Sequence, residues 1–296
     1  MSRLRGVISV LQVPFAPDGE VDWPGLARIA SYAESRGAVG LAFGFASEYF
    51  RLTEDERQQA VAVAVGAVDG RVPVAAPCTA ESIVPARRMI RQAKSLGASI
   101  GLVNPPSVVK VETGRLLEYF GELAAEGLPL MIQDAPQWTG VHMPVSLLVE
   151  LAEIPGVHSL KMEAPPTWVK VRQVRELVGD AVALYGGYGG MYLLPELAAG
   201  SDGVMPSTAH PQLYAPMLEA FWHGDRSEAT RLFQLMLPYL ITSGSSLDDH
   251  IWLQKELLRR RGLISSSSLR APASPPDRFT CDLALELAAS LGFLEL

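Results

Sequence analysis

Residues 92–103, Gln92-Ala-Lys-Ser-Leu-Gly-Ala-Ser-Ile-Gly-Leu-Val103, join the end of an amphipathic helix to a short apolar run through a single glycine. Glycine ends helices at this place because it adopts the left-handed backbone conformation without steric cost. An apolar run of four to six residues after such a stop is typical of a buried strand. The segment therefore predicts a helix that is followed at once by a strand.

The same unit recurs along the chain. Short apolar runs also begin after five other glycines, namely Gly37, Gly127, Gly156, Gly179 and Gly200. Two further runs, at residues 6–12 and 72–76, bring the number of predicted strands to eight. Eight strands that alternate with helices predict a parallel sheet closed into a TIM (β/α)8 barrel. An open doubly wound sheet is the alternative, but no Gly-x-Gly-x-x-Gly motif follows the first strand, so the barrel is favoured.

Helical patterns continue beyond the last predicted strand and its helix, at about 226–242, 247–262 and 278–291. The Ser- and Pro-rich break at residues 265–276 is too short to link domains and is typical of a loop. We therefore expect a barrel at residues 1–224 and a C-terminal helical region at residues 225–296.

The composition excludes several classes of protein. The chain has 296 residues, of which 48% are hydrophobic and 19% charged, as in soluble globular proteins. Its formal net charge of -7 argues against nucleic acid or an anionic membrane as a partner. It shows no apolar run long enough for a membrane span and no secretory signal, which predicts a cytoplasmic protein. Cys78, Cys281 and the histidines lack metal-ligand spacing, so no metal is expected.

One lysine is placed for chemistry. Lys161 lies in the apolar run Gly156-Val-His-Ser-Leu-Lys-Met-Glu163, at the end of the sixth predicted strand. An ammonium group is costly to bury, so such a lysine either reaches water or serves as an amine nucleophile towards carbonyls. Barrel enzymes carry their chemistry where the strands end, which makes Lys161 a candidate catalytic residue.

This pattern resembles the dihydrodipicolinate synthase and N-acetylneuraminate lyase family of class I aldolases. The resemblance runs from Val13-Pro-Phe-Ala-Pro-Asp-Gly-Glu-Val-Asp22 to Arg270-Ala-Pro272 and so covers nearly the whole chain. It implies a TIM barrel with three C-terminal helices, a homodimer or homotetramer, and a reaction without a metal or organic cofactor. It also implies that Lys161 forms a Schiff base with a small 2-oxo acid.

Two departures from the family pattern bear on the activity. Gly44-Phe45-Ala46-Ser47-Glu48 takes the place of the family's Gly-Thr-Thr-Gly-Glu loop, so the resemblance implies that the amides of Ala46 and Ser47, with the Ser47 hydroxyl, hold the substrate carboxylate. The family's proton-transferring tyrosine is replaced by Gln133, whose amide is neither an acid nor a base near neutral pH. Gln133 either packs or donates to substrate.

Trp138 stands where the synthases have a carboxylate-binding arginine, so dihydrodipicolinate synthesis is not expected. Residues i and i+2 of a strand share a face, so Glu163 points to the same side as Lys161 and is the leading replacement acid and base. The alternative is that Glu163 forms an ion pair or caps a helix. The remaining candidate substrate contacts follow strands seven and eight, at Gly186, Tyr188 and His210.

These observations predict a Schiff-base-forming lyase or dehydratase that acts on a 2-oxo acid, such as a 2-keto-3-deoxy sugar acid or another hydroxy-2-oxo acid. Lys161, Glu163 and Gln133 are its expected catalytic residues. The alternative is a non-catalytic or regulatory barrel that binds a 2-oxo acid without turnover.

Overall fold

The computed structural model describes residues 3–293. Eight parallel strands form a closed barrel in chain order, which confirms the predicted TIM barrel. The strands are β1 (Gly6–Val10), β2 (Ala38–Ala42), β3 (Val74–Pro77), β4 (Ile100–Val103), β5 (Leu130–Asp134), β6 (Val157–Met162), β7 (Ala183–Gly186) and β8 (Gly203–Val204).

Twelve α-helices occur within the described residues, and short 3-10 turns cover Phe45–Ser47, Tyr49–Arg51 and Tyr188–Gly190. The helices are α1 (Trp23–Ser35), α2 (Glu54–Val68), α3 (Ile83–Ser95), α4 (Thr113–Ala124), α5 (Pro136–Thr139), α6 (Val145–Ala152), α7 (Thr167–Val178), α8 (Leu193–Ala198), α9 (Pro211–Trp222), α10 (Arg226–Ser243), α11 (Leu247–Arg260) and α12 (Arg278–Ser290).

Local sequence sets the phase of these elements. Gly97, between α3 and β4, has a φ of 88°, and Gly156, before β6, has a φ of 101°. Both values lie in the left-handed region that residues with a Cβ rarely adopt. Thr53 caps α2, since its hydroxyl accepts from the Glu56 amide at 3.2 Å while the Glu56 carboxylate accepts from the Thr53 amide at 2.8 Å. The two bonds form a reciprocal capping box at the start of α2.

Two groups of buried apolar side chains hold the fold. The smaller group fills the barrel interior and includes Ile8, Leu102, Met131 and Tyr185. The larger group lies between the strands and the surrounding helices and continues into the C-terminal helices. Within the described residues, no helix is both long and apolar enough to cross a membrane.

The C-terminal helices reach the top of the barrel. α10 packs against α8 and α9, and α11 packs against the 3-10 turn Phe45–Ser47 that follows β2. This contact brings the start of α11 over the carboxyl ends of the strands. The three predicted C-terminal helices lie at the expected positions, while a domain boundary after residue 224 stays a prediction.

Candidate active site

A cleft of about 280 Å³ opens at the carboxyl ends of the strands. One wall comes from the ends of β5, β6 and β8, and the opposite wall comes from residues 243–250 of the C-terminal helical region. Its polar lining consists of Gln133, Gln137, Lys161, Glu163, Tyr188, Ser207, Ser243, Ser245, Ser246 and His250. The volume is near the lower end of the range for small-molecule sites, roughly 300–1,000 Å³, and suits a small acid.

Lys161 lies in β6 between Gln133 of β5 and Tyr185 of β7, its register partners. Because the strands are parallel and in register, all three side chains point into the barrel. They lie near the carboxyl ends of the strands, where TIM barrels carry their active sites. The Lys161 side chain is 6% exposed, and its Nζ lies 3.2 Å from Glu163 Oε2. The predicted strand alternation does bring Lys161 and Glu163 together.

Glu163 is held from three directions. Gln133 Nε2 donates to its Oε2, and the Tyr188 main-chain N–H donates to its Oε1 at 3.1 Å. With its amide oriented so that both ends find partners, Gln137 donates to the Glu163 main-chain carbonyl at 3.0 Å. Gln133 therefore contacts the carboxylate that faces the lysine. A carboxylate fixed this way beside an amine is arranged for proton transfer.

Tyr188 borders the cleft from the loop after β7. Its φ of 50° is unusual for a residue with a Cβ and directs its amide towards Glu163. Burial, together with the nearby negative charge of Glu163, raises the pKa of the Tyr188 phenol to about 12. The phenol therefore stays protonated at neutral pH and is a hydrogen-bond donor, not a base.

The loop after β2 differs in part from the expectation. Ala46 lines the cleft, and a Cβ at Gly44 would lie 3.8 Å from Lys161 Nζ. Ser47 does not line the cleft: its hydroxyl accepts from the Gly44 amide at 3.1 Å, and its amide donates to the Gly44 carbonyl at 2.9 Å. The Ser47 groups expected to cradle a carboxylate are therefore occupied by the 3-10 turn itself.

Glu48 also faces away from the cleft. Its side chain is fully buried and pairs with Lys255 of α11 and with Arg51. Burial lowers the pKa of Lys255 to about 8, although the Glu48 carboxylate opposes that shift. This network fastens the loop after β2 to the C-terminal helices, and the Glu48 side chain does not line the cleft.

Of the other predicted substrate contacts, Trp138 lines the cleft, whereas Gly186 and His210 do not. Trp138 lines the cleft and is 43% exposed. Gly186 lies behind the wall, where its Cα faces the Glu196 carboxyl. His210 is turned away from the cleft, because it meets the Tyr239 hydroxyl at 3.1 Å and Arg261 Nη2 at 3.0 Å. The structure thus does not bring Gly186 or His210 to the site.

Sequence reasoning missed one pair. Ser207 Oγ, after β8, lies 2.7 Å from His250 Nε2 of α11, and both residues line the cleft. Burial lowers the pKa of His250 to about 4, so its ring is neutral at ordinary pH. Ser207 follows the eighth strand, so its position alone makes it a candidate site residue. No sequence signal connects it to a histidine on a later helix.

The sequence profile of the dihydrodipicolinate synthetase family matches residues 3–282. The chain belongs to this family. The family consists of class I aldolases and lyases, whose members are typically oligomers that act on small molecules.

Within the dihydrodipicolinate synthetase family, the named relatives differ in activity. The chain is 32% identical over 278 residues to the L-2-keto-3-deoxyarabonate dehydratase of Azospirillum brasilense, covering 91% of this chain and 89% of the relative. It is 31% identical over 237 residues to the 4-hydroxy-tetrahydrodipicolinate synthase of Pelobacter propionicus, covering 79% and 81% respectively. The dihydrodipicolinate synthase structure from Thermotoga maritima superposes with a TM-score of 0.91 at 23% identity, covering 99% of this chain and 100% of that one. That likeness shows the fold.

Proposed function

We propose that the chain is a lyase of the dehydratase type, in which Lys161 forms a Schiff base with a 2-oxo acid that carries a hydroxyl group beyond its C3 carbon. A 2-keto-3-deoxy sugar acid has this form. The observation that carries the proposal is the 3.2 Å contact between Lys161 Nζ and the oriented carboxylate of Glu163, in a cleft sized for a small acid.

The reaction follows from these two groups. Lys161 passes its proton to Glu163 and adds to the C2 carbonyl. The resulting carbinolamine hydroxyl takes that proton back from Glu163 and leaves as water, which gives an iminium that attracts electrons from C3. Glu163 then removes a C3 proton to give the enamine. The enamine expels the hydroxyl group at C4, which leaves as water after receiving that proton. Hydrolysis of the conjugated iminium restores Lys161.

Gln133 orients the base in this scheme and transfers no proton. Its amide donates to Glu163 Oε2, the oxygen that also faces Lys161. An amide that fixes a carboxylate suits proton removal from C3, whereas the family's aldol chemistry uses a tyrosine at that place. The replacement of tyrosine by Gln133 and the dehydratase name of the Azospirillum relative both support dehydration over aldol cleavage.

The far wall of the cleft is polar, and none of its lining side chains is charged. Ser243, Ser245 and Ser246 line it together with the neutral His250, and Trp138 stands where an arginine would bind a second carboxylate. We therefore expect a substrate with one carboxylate and an uncharged far end, held near C1 by the Ala46 segment. We expect the reaction to take place in the cytoplasm.

A panel of 2-oxo acids tests the activity. The purified chain should consume a hydroxylated 2-keto-3-deoxy acid with loss of water and without release of pyruvate. Pyruvate release would show aldol cleavage instead, and condensation of pyruvate with aspartate semialdehyde would show synthase activity. Ligand capture without any product would establish the non-catalytic barrel and reject the proposal.

A further inference from the structure

Glu196, in the short helix α8, has a buried carboxyl group that the proposed reaction does not use. The residue is 0% exposed, and neither carboxyl oxygen has a hydrogen-bond partner among the described residues. The Thr167 hydroxyl of α7 faces the carboxyl without reaching good hydrogen-bond geometry. A carboxyl group in such surroundings favours its neutral, protonated form.

Two consecutive glycines give Glu196 and Glu163 their positions. A Cβ at Gly186 would lie 1.7 Å from Glu196 Oε2, and a Cβ at Gly187 would lie 2.0 Å from Glu163 Oε1. Real Cβ atoms do not approach so closely, so neither position has room for a side chain while the carboxyl groups stay where they are. At the end of β7, the Glu196 carboxyl group thus packs against Gly186 and the Glu163 carboxyl group packs against Gly187.

Among the described residues, Glu163 is the charged side chain that shifts the pKa of Glu196. Burial raises the pKa of Glu196 to about 8, and the negative charge of Glu163 adds to this effect. The Thr167 hydroxyl acts in the opposite direction, with an effect on this pKa larger than that of Glu163. Helices α7 and α10 and strand β8 also pack against α8, but within residues 3–293 they add no charged side chain that shifts Glu196.

We propose that Glu196 is a positioning residue that keeps its proton at neutral pH, so that Glu163 alone carries the negative charge beside Lys161. The inference rests on the proposed role of Glu163. When Glu196 ionises, a second buried negative charge repels Glu163. Glu163 then leaves its contacts with Lys161 and the Tyr188 amide, and turnover falls.

Glu196→Gln tests this role, because the amide keeps the shape and a donor but does not ionise. Wild-type turnover should fall above about pH 8, by about tenfold for each further pH unit, as for loss of one proton. Glu196→Gln should match wild-type turnover at pH 7 and fall less steeply above pH 8, where loss of the Lys255 proton affects both proteins alike. Glu176→Gln, an exposed carboxylate on α7, is the matched control and should keep the wild-type profile.

Thermal unfolding gives a second readout that does not depend on the reaction. The pKa of Glu196 is about 8 in the folded state against 4.5 for an ordinary glutamate. Between these values only the unfolded chain has lost the proton, so the wild type loses stability as pH rises through this window. The melting temperature of Glu196→Gln minus that of the wild type should therefore grow from pH 5 to pH 8 and then stay level.

The outcomes separate this inference from the proposed reaction. If Glu163 is not the acid and base, Glu163→Gln keeps wild-type turnover while the melting difference for Glu196→Gln still grows with pH. A melting difference that is equal at pH 5 and pH 8, or an alkaline fall that is as steep in Glu196→Gln as in the wild type, overturns the inference. Glu196→Met, apolar and of similar length, provides the same pH series if the glutamine variant does not fold. Without a turned-over substrate, the change in the melting difference between pH 5 and pH 8 alone decides whether Glu196 keeps its proton.

Discussion

Glu163 is the residue that distinguishes this site from one built around a tyrosine. Its carboxylate has one oxygen shared between Lys161 and Gln133 and the other fixed by the Tyr188 amide. A proton acceptor held this way is already oriented before the substrate binds, so binding does not have to order it. The chemistry of the cleft therefore depends on a carboxylate that strand alternation places beside the lysine.

Replacing Glu163 by glutamine tests that role. The amide keeps the size of the side chain but does not take a proton, so turnover should fall by roughly 10²–10⁴-fold, the usual loss for a general acid or base. Borohydride trapping of pyruvate should continue, since Lys161 remains. Turnover and melting temperature are measured on the same protein, with Glu176→Gln as the surface control. Wild-type turnover, or a large loss of stability with little loss of rate, would remove Glu163 from the mechanism.

Helix α11 belongs to the site as much as the strands do. Its first turns supply Leu247 and His250 to the cleft, and its buried Lys255 fastens it to Glu48 in the loop after β2. The barrel strands thus carry the reacting groups, while α11 closes the cleft on the side where the substrate tail would lie.

His250→Phe tests the contribution of this helix. The change removes the 2.7 Å contact with Ser207, and a neutral hydrogen bond is worth about 0.5–1.5 kcal/mol. We expect kcat/KM for a hydroxylated 2-oxo acid to fall by about tenfold, with pyruvate trapping unchanged. Because the pKa of His250 is about 4, the effect should not vary between pH 6 and pH 8. His223→Phe, an exposed histidine, is the control. If pyruvate trapping fell by the same factor, the substitution would have disturbed the whole cleft and not only the side where the substrate tail lies.

Periodic elements were predictable, and contacts between distant elements were not. Every predicted strand is present because each helix stop and each apolar run is a local signal. Strand alternation also predicted the meeting of Lys161 and Glu163. His210 does not line the cleft, because Tyr239 and Arg261, which hold its ring elsewhere, lie far along the chain. Ser207 and His250 were missed for the same reason.

On the scale of the whole molecule, the surface predicts self-association. Val108 and Val109, in the loop between β4 and α4, are 80% and 72% exposed. We expect a homodimer or homotetramer, since closed symmetric assemblies are the usual form of soluble oligomers. Light scattering should give such a mass, and Val108→Asp with Val109→Asp should lower it. Glu112→Ala, in the same loop, should leave the mass unchanged. A monomeric wild type would contradict the expectation.

The proposed reaction depends on an imine at Lys161, and borohydride trapping measures that imine directly. The chain is reduced in the presence of pyruvate and of a 2-keto-3-deoxy acid, digested, and mapped by mass spectrometry, with Lys161→Met alongside. We predict a single adduct on the peptide that contains Lys161 and none in the variant, with Lys170 and Lys255 unmodified because neither lines the cleft. No adduct, or an adduct on another lysine that persists in Lys161→Met, would reject the proposed Schiff base at Lys161.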